Sequence, residues 1–366
     1  MMEATPYGPI LNNLRLDRKG GGTSTINIAD PFAMLYTLVK QCHGFSSLLQ
    51  YALRRHPPSY DAQWRVLVYS DEVIPGNQLS LHNLRKVWVL YWSFLEFGAA
   101  ILAMEDAWLC LAVVESDHVK DIEGGMAQVF GAVLKHMFAS GHGDHTLTHS
   151  GVLLDFPDMS STRLFARLEM ILQDGGAHKL VFMVKGDAGT KFCMGCRTLY
   201  TESSDIVDGD TNDALLTCSQ LFESDMGFAT DAEVQGTVAR LAHHARTTRN
   251  KELLGLREQA CGFNHNPYNM LLEPALDDVV NPVSQFAHDP MHTFFVHGVW
   301  NAIMYLMLMA LVHDGVENPT NQFMTYIVLW TLPRRLGSNI SQMCSQRHDG
   351  HRQRKPNILR LPRATL

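Results

Sequence analysis

Trp64-Arg65-Val66-Leu67-Val68-Tyr69-Ser70-Asp71 is a short run of β-branched and aromatic residues that closes on an acid. Its composition predicts a strand, and Pro75-Gly76-Asn77 then marks a turn. Two more β-rich runs follow at short spacing, Lys86 to Phe97 and Ala107 to Val114. Connections this short suit antiparallel neighbours. Asp117 to Phe138 then switches to helical spacing, with Val119, Ile122, Met126, Val129, Phe130, Val133, Leu134 and Met137 on one broad stripe. After the His/Gly-rich loop Gly141 to Ser150 come two further β-like runs, Gly151 to Asp155 and Leu164 to Leu172. The second leads into Asp174-Gly175-Gly176.

Three antiparallel strands, a helix and a parallel fourth strand make the front half of a ribonuclease-H-like fold. The expected class is therefore α/β, a ribonuclease-H-like mixed sheet flanked by helices, with a zinc-binding insertion and a helical C-terminal part. In such a sheet the ends of the first and fourth strands are neighbours, which would place Asp71 beside Asp174. Paired carboxylates offer the hard oxygen donors that Mg²⁺ and Mn²⁺ prefer.

A second pattern lies downstream. Cys193 and Cys196 form a C-x-x-C pair, and His288 and His292 form an H-x-x-x-H pair. Two thiolates and two imidazoles are a complete ligand set for tetrahedral structural Zn²⁺. The long gap would make the shared metal a clamp between distant segments. His288 is the weaker ligand, and His265 or His297 could replace it.

The rest of the chain is organised around these motifs. Its 366 residues are 46 % hydrophobic, enough for a substantial core. Seven scattered cysteines do not resemble a secreted disulfide framework, so a reducing compartment is expected. Met1 to Gly22 reads as a loose leader, and Pro31 to Leu53 as a helix stopped by Pro57-Pro58. Asp231 to Leu256 reads as a charged helix and Asn264 to Pro282 as irregular. Asp289 is expected to cap a late helix, with Pro290 at its first position. Val299 to Val312 is too short for a membrane span, which needs about twenty residues, and is expected to be a buried helix. The expected parts are a helical lead-in over 1–62, a core over 63–185, and a zinc-binding insertion with a helical region over 186–287. Apolar helices packing on the core would follow over 288–332, and then a basic disordered tail over 333–366. That tail holds eight Lys or Arg and a single acid, against a net charge of −7 for the whole chain. It suits a phosphate-binding arm or a solvated end.

Three segments resemble the CACTA-type (En/Spm-like) DDE DNA transposases. They are Ser70-Asp71-Glu72-Val73-Ile74-Pro75-Gly76-Asn77, the stretch from Leu172-Gln173-Asp174-Gly175-Gly176 to Cys193-Met194-Gly195-Cys196, and Asp289-Pro290-Met291-His292. The resemblance implies that Asp71 and Asp174 are catalytic acids holding Mg²⁺ or Mn²⁺. It also implies that Cys193, Cys196 and His292 bind Zn²⁺, that DNA is the partner, and that a functional protein is nuclear, otherwise cytoplasmic. No membrane association is expected, and a homo-oligomer is left open as a partner. The family needs a third acid from a late helix, and Glu317 is the weak candidate here. Its weakness, with the abrupt basic end, points to a catalytic-domain fragment or a decayed, inactive relative. The alternative function is a non-catalytic, zinc-stabilised nucleic-acid- or protein-binding protein. A membrane hairpin built from Val299–Val312 and Phe323–Leu332 is the reading from another class.

Overall fold

The computed structural model describes residues 5–74, 85–139, 145–156, 160–197, 227–296 and 299–322. The turn at Pro75-Gly76-Asn77, His297, the segment 323–332 and the tail 333–366 lie outside the described residues, as does the stretch 198–226 of the expected insertion. Met1–His292 and Thr293–Leu366 form two compact units.

The first unit is α/β, and the Trp64 run forms an interior strand of its sheet. This is β3 (Trp64–Val73), where β1 (Leu11–Asp17) and β2 (Thr23–Ala29) precede it. Val66, Leu67 and Val68 are all buried, as expected of a strand covered on both faces. β3 pairs antiparallel with β4 (Val87–Phe94), which pairs antiparallel with β5 (Leu109–Glu115). On its other side β3 pairs in parallel with β8 (Ala166–Gln173), and β8 in parallel with β9 (Phe286–His288). The sheet has seven strands in the order β1-β2-β5-β4-β3-β8-β9. This mixed sheet flanked by helices is compatible with the ribonuclease-H-like expectation.

The structure departs from the sequence reading at several points. The N-terminal segment is a hairpin, not a loose leader: β1 pairs with β2, and β2 joins the sheet at β5. Leu16, Ile26 and Ile28 face inward, and Gly20, Gly21 and Gly22 turn the chain at positive φ, which glycine adopts without strain. The lead-in helix breaks at Cys42 into α1 (Pro31–Gln41) and α2 (His43–Arg55). Asp30 caps α1, accepting from the Phe32 and Ala33 amides at 3.0 and 2.9 Å, and its other oxygen meets His136 Nε2 at 2.8 Å.

After the short α3 (Ala99–Leu102), the long helix expected over Asp117–Phe138 is two, α4 (Ser116–Asp121) and α5 (Met126–Phe138). Gly125 breaks it at φ 57°. Gly124 keeps the break tight, since a Cβ there would lie 2.4 Å from Tyr268 Cβ. Gly151–Asp155 does not join the main sheet: β6 (Val152–Leu154) pairs only with β7 (Thr162–Leu164) in a separate ribbon. β8 leads directly into α6 (Gly175–Val181). The charged helix is α7 (Asp231–Thr247) and α8 (Lys251–Cys261), the second begun by an Asn250 cap. β9 lies where the reading had the border between insertion and late helices, because three residues are too few for a periodic signal.

In the second unit, α9 (Val299–His313) is helical as expected but not buried. Its apolar side chains are exposed, Leu306 at 65 % and Trp300 at 48 %. Apolar residues all round a helix need partners on every side, and a single helix cannot supply them. No helix among the described residues is long and apolar enough to cross a membrane.

Leu90 lies at the centre of the sheet and is fully buried. Leu90→Ala is expected to cost about 2–5 kcal/mol in urea unfolding. Leu11→Ala, at an exposed edge position, should stay within about 0.5 kcal/mol. Equal losses at the two sites would contradict this sheet order.

Candidate metal centre

Register brings three acids together. In the parallel pairing, Ser70 lies opposite Gln173 and Gln173 opposite His288. The next residue on each strand is an aspartate: Asp71, Asp174 and Asp289. They therefore lie level with one another at the same end of three adjacent strands. Two were expected from sequence. Asp289 is expected as a helix cap and as the head of the Asp289–His292 segment, not as a partner of these acids, and its place beside the other two depends on β9.

Tyr69 and Asp71 are two apart on β3 and so share a face. The Tyr69 hydroxyl lies 3.3 Å from Asp71 Oδ2 and 3.2 Å from Asp289 Oδ2. It carries one proton and can donate to only one carboxylate at a time. Asp289 is nearly buried and well held. Its Oδ1 accepts from the Met291 amide at 2.8 Å, and its Oδ2 lies 2.8 Å from His292 Nδ1. Its own amide donates to the Gln173 carbonyl at 2.8 Å. Asp174 caps α6 by accepting from the Ala177 amide. On the other face, buried Gln173 donates from Nε2 to Ser70 Oγ at 2.8 Å, tying the two strand ends together.

The electrostatics follow from this crowding. Burial, then the negative charge of Asp174, pushes the Asp71 carboxyl above its usual range, and His292 only partly offsets them. Burial would also raise Asp289. The His292 hydrogen bond and the Met291 amide outweigh it, so Asp289 is held below the usual range. Burial would lower His292, but the Asp289 hydrogen bond and the charges of Asp289, Asp174 and Asp71 raise it. Burial, then the charges of Asp71 and Asp289, drives the Tyr69 hydroxyl far up.

The cysteine pair is a separate feature. Cys193 and Cys196 are part-buried and hydrogen-bonded to each other. That bond, then burial and the neighbouring thiolate's charge, pushes the Cys193 thiol far up. Two soft donors side by side suit half of a Zn²⁺ site. The clamp expected from Cys193, Cys196, His288 and His292 is nevertheless not assembled. Among the described residues no three His, Cys, Asp or Glu side chains already converge as a metal cage. His292 is engaged by Asp289 on the same helical turn. His288 sits at the sheet edge against the Phe286 ring, with centroids 4.7 Å apart. The His265 amide donates to Glu258 Oε1. Glu317 is exposed in the second unit. The carboxylate cluster is likewise open as it stands.

Compared with known proteins, the chain matches no protein-family model and no curated protein.

Behind the strand ends, His178 of α6 stacks on Phe286 with centroids 3.9 Å apart. Burial, then the nearby His288, lowers its pKa to about 3. Above pH 6.5 the ring is neutral folded or unfolded, and contributes no pH dependence. Below that, the unfolded chain takes a proton that the native state refuses, so stability falls as pH drops toward 3. This group should cost about 2 kcal/mol between pH 7 and pH 5. His178→Leu should flatten the pH dependence of urea unfolding by that amount. Parallel curves for variant and wild type would show that the imidazole is not buried neutral.

Proposed function

We propose that this chain is a transposase-like protein whose site for metal-dependent phosphoryl transfer on DNA is built on Asp71 and Asp174. The observation that carries the reading is the β3–β8 register, in which Ser70 faces Gln173 and the two acids follow directly. The side-by-side placement expected from the order of the strands is supported by this pairing. The ribonuclease-H-like assignment of the sheet, finer than its mixed α/β character, belongs to the same proposal.

The residues fit a hard divalent cation. Burial and then the charge of Asp174 raise Asp71, and a cation between the two acids would relieve their repulsion. When bound, a pair of such ions stabilises the attacking and leaving oxygens of an in-line displacement at phosphorus. The chain's own contribution is positional. The β3 and β8 backbones hold the two carboxylates level, the Gln173–Ser70 hydrogen bond ties the strand ends, and Tyr69 restrains Asp71 from the same face. The cysteine pair would supply two ligands of a structural Zn²⁺ site away from the chemistry. A functional protein of this kind would act in the nucleus.

Purified protein should nick plasmid DNA with Mn²⁺, and Asp71→Ala and Asp174→Ala should each reduce nicking to background while melting near wild type. Nicking that survives both substitutions would sink the reading. Protein that binds zinc but never nicks would instead be a non-catalytic, zinc-stabilised binding protein. The purified chain should also carry about one zinc, lost in Cys193→Ser together with some thermal stability.

A further inference from the structure

His292 Nδ1 is taken by Asp289 Oδ2 at 2.8 Å. Asp289 is itself fixed by the Met291 amide and the Tyr69 hydroxyl. A neutral imidazole that donates from Nδ1 to a carboxylate has its lone pair on Nε2. Histidines that bind metals are typically prepared in this way, with one nitrogen hydrogen-bonded to a carboxylate and the other facing the ion. No other partner of the His292 ring is present among the described residues.

The surroundings say which metal this nitrogen faces. The Tyr69 hydroxyl lies against both Asp289 and Asp71, and the largest charges acting on His292 are those of Asp289, Asp174 and Asp71. Asp289 cannot easily be a direct ligand, because both of its oxygens already accept hydrogen bonds. It is the better positioning residue. We propose that His292 Nε2 is the third protein ligand of the divalent-cation site at the strand ends, beside Asp71 and Asp174, with Asp289 orienting its ring. The inference rests on the carboxylate reading above and moves His292 from the cysteine site to that one. An ion would draw the three side chains of the open cluster together.

Two carboxylates and an imidazole have a different selectivity from carboxylates alone. Mg²⁺ takes oxygen ligands almost exclusively, whereas imidazole suits first-row transition metals. The site should therefore prefer Mn²⁺ to Mg²⁺, with His292 as the source of the preference. A helix-start histidine with a purely structural role would leave this ratio unchanged.

The test is Mn²⁺ binding to the full chain, followed by the loss of the free-ion electron paramagnetic resonance signal, with Mg²⁺ as competitor. Zinc content is measured on the same samples, and circular dichroism melting checks the fold. His292→Ala should weaken Mn²⁺ binding by about tenfold or more and narrow the Mn²⁺/Mg²⁺ preference, with zinc content unchanged. Asp289→Asn should weaken Mn²⁺ binding by about 10–100-fold, as removal of an orienting carboxylate does. If His292→Ala loses zinc and keeps Mn²⁺ affinity, the inference is overturned and His292 belongs to the cysteines. Mn²⁺ binding lost in Asp71→Ala but intact in His292→Ala overturns this inference and leaves the carboxylate reading standing. Binding untouched by Asp71→Ala and Asp174→Ala overturns the carboxylate reading itself.

Discussion

Parallel strands cannot be joined by a tight turn, so β3 and β8 meet only after the chain has passed through β4, β5 and α5. Their backbone hydrogen bonds are the constraint on which the functional end of the molecule depends. The pairing buries Val66 and Val68 and ends with Ser70 opposite Gln173. Trp64, Val66, Val68 and Ser70 are buried on one face of β3 while Arg65, Tyr69 and Asp71 on the other are only part-buried, so a slip of one residue would expose the buried set. With the register held, Asp71 and Asp174 lie level without any interaction between their side chains to bring them there. Extension to β9 through the Gln173–His288 pair places Asp289 in the same row.

Crowding carboxylates at a half-buried strand end is unfavourable unless something compensates. The compensation is uneven. Asp289 has a full set of hydrogen bonds from Tyr69, His292 and the Met291 amide and stays ionised with ease. Asp71 has the Tyr69 hydroxyl, shared with Asp289, and the more distant help of His292. The less compensated acid thus stands beside Asp174, where a cation would be most effective, and the well-compensated acid stands behind the imidazole.

Much of the fold was legible because its signals are local. The strands at Trp64, Val87 and Leu109 have β-rich composition, the stripe of α5 has helical period, and Asp71 and Asp174 each close an apolar run. The errors share a physical origin. Cys42 carries no strong breaker chemistry, yet its extended backbone, φ −109° and ψ 96°, divides α1 from α2. Gly124-Gly125 was compatible with a continuous stripe, and only the approach of Tyr268 shows why the chain must turn at that point. The N-terminal hairpin has alternating Leu14, Leu16, Ile26 and Ile28, but its polar intervening residues and glycine run also describe a loose segment. What separates the two is the edge of β5, against which β2 pairs.

The same division holds at the site. Sequence alone determined the residue types: the acids Asp71 and Asp174, the C-x-x-C pair, and the histidine three residues after Asp289. Those are covalent facts, and their chemistry as oxygen, sulfur and nitrogen donors follows directly. Only the tertiary structure decided which donors are neighbours. Spacing along the chain paired His288 and His292 with the cysteines, whereas strand register and one turn of helix place His292 with the carboxylates and leave His288 among aromatic rings at the sheet edge. Ligand type is a property of single residues. Ligand grouping depends on distances across the sheet, which hydrogen bonds between strands far apart in the chain establish.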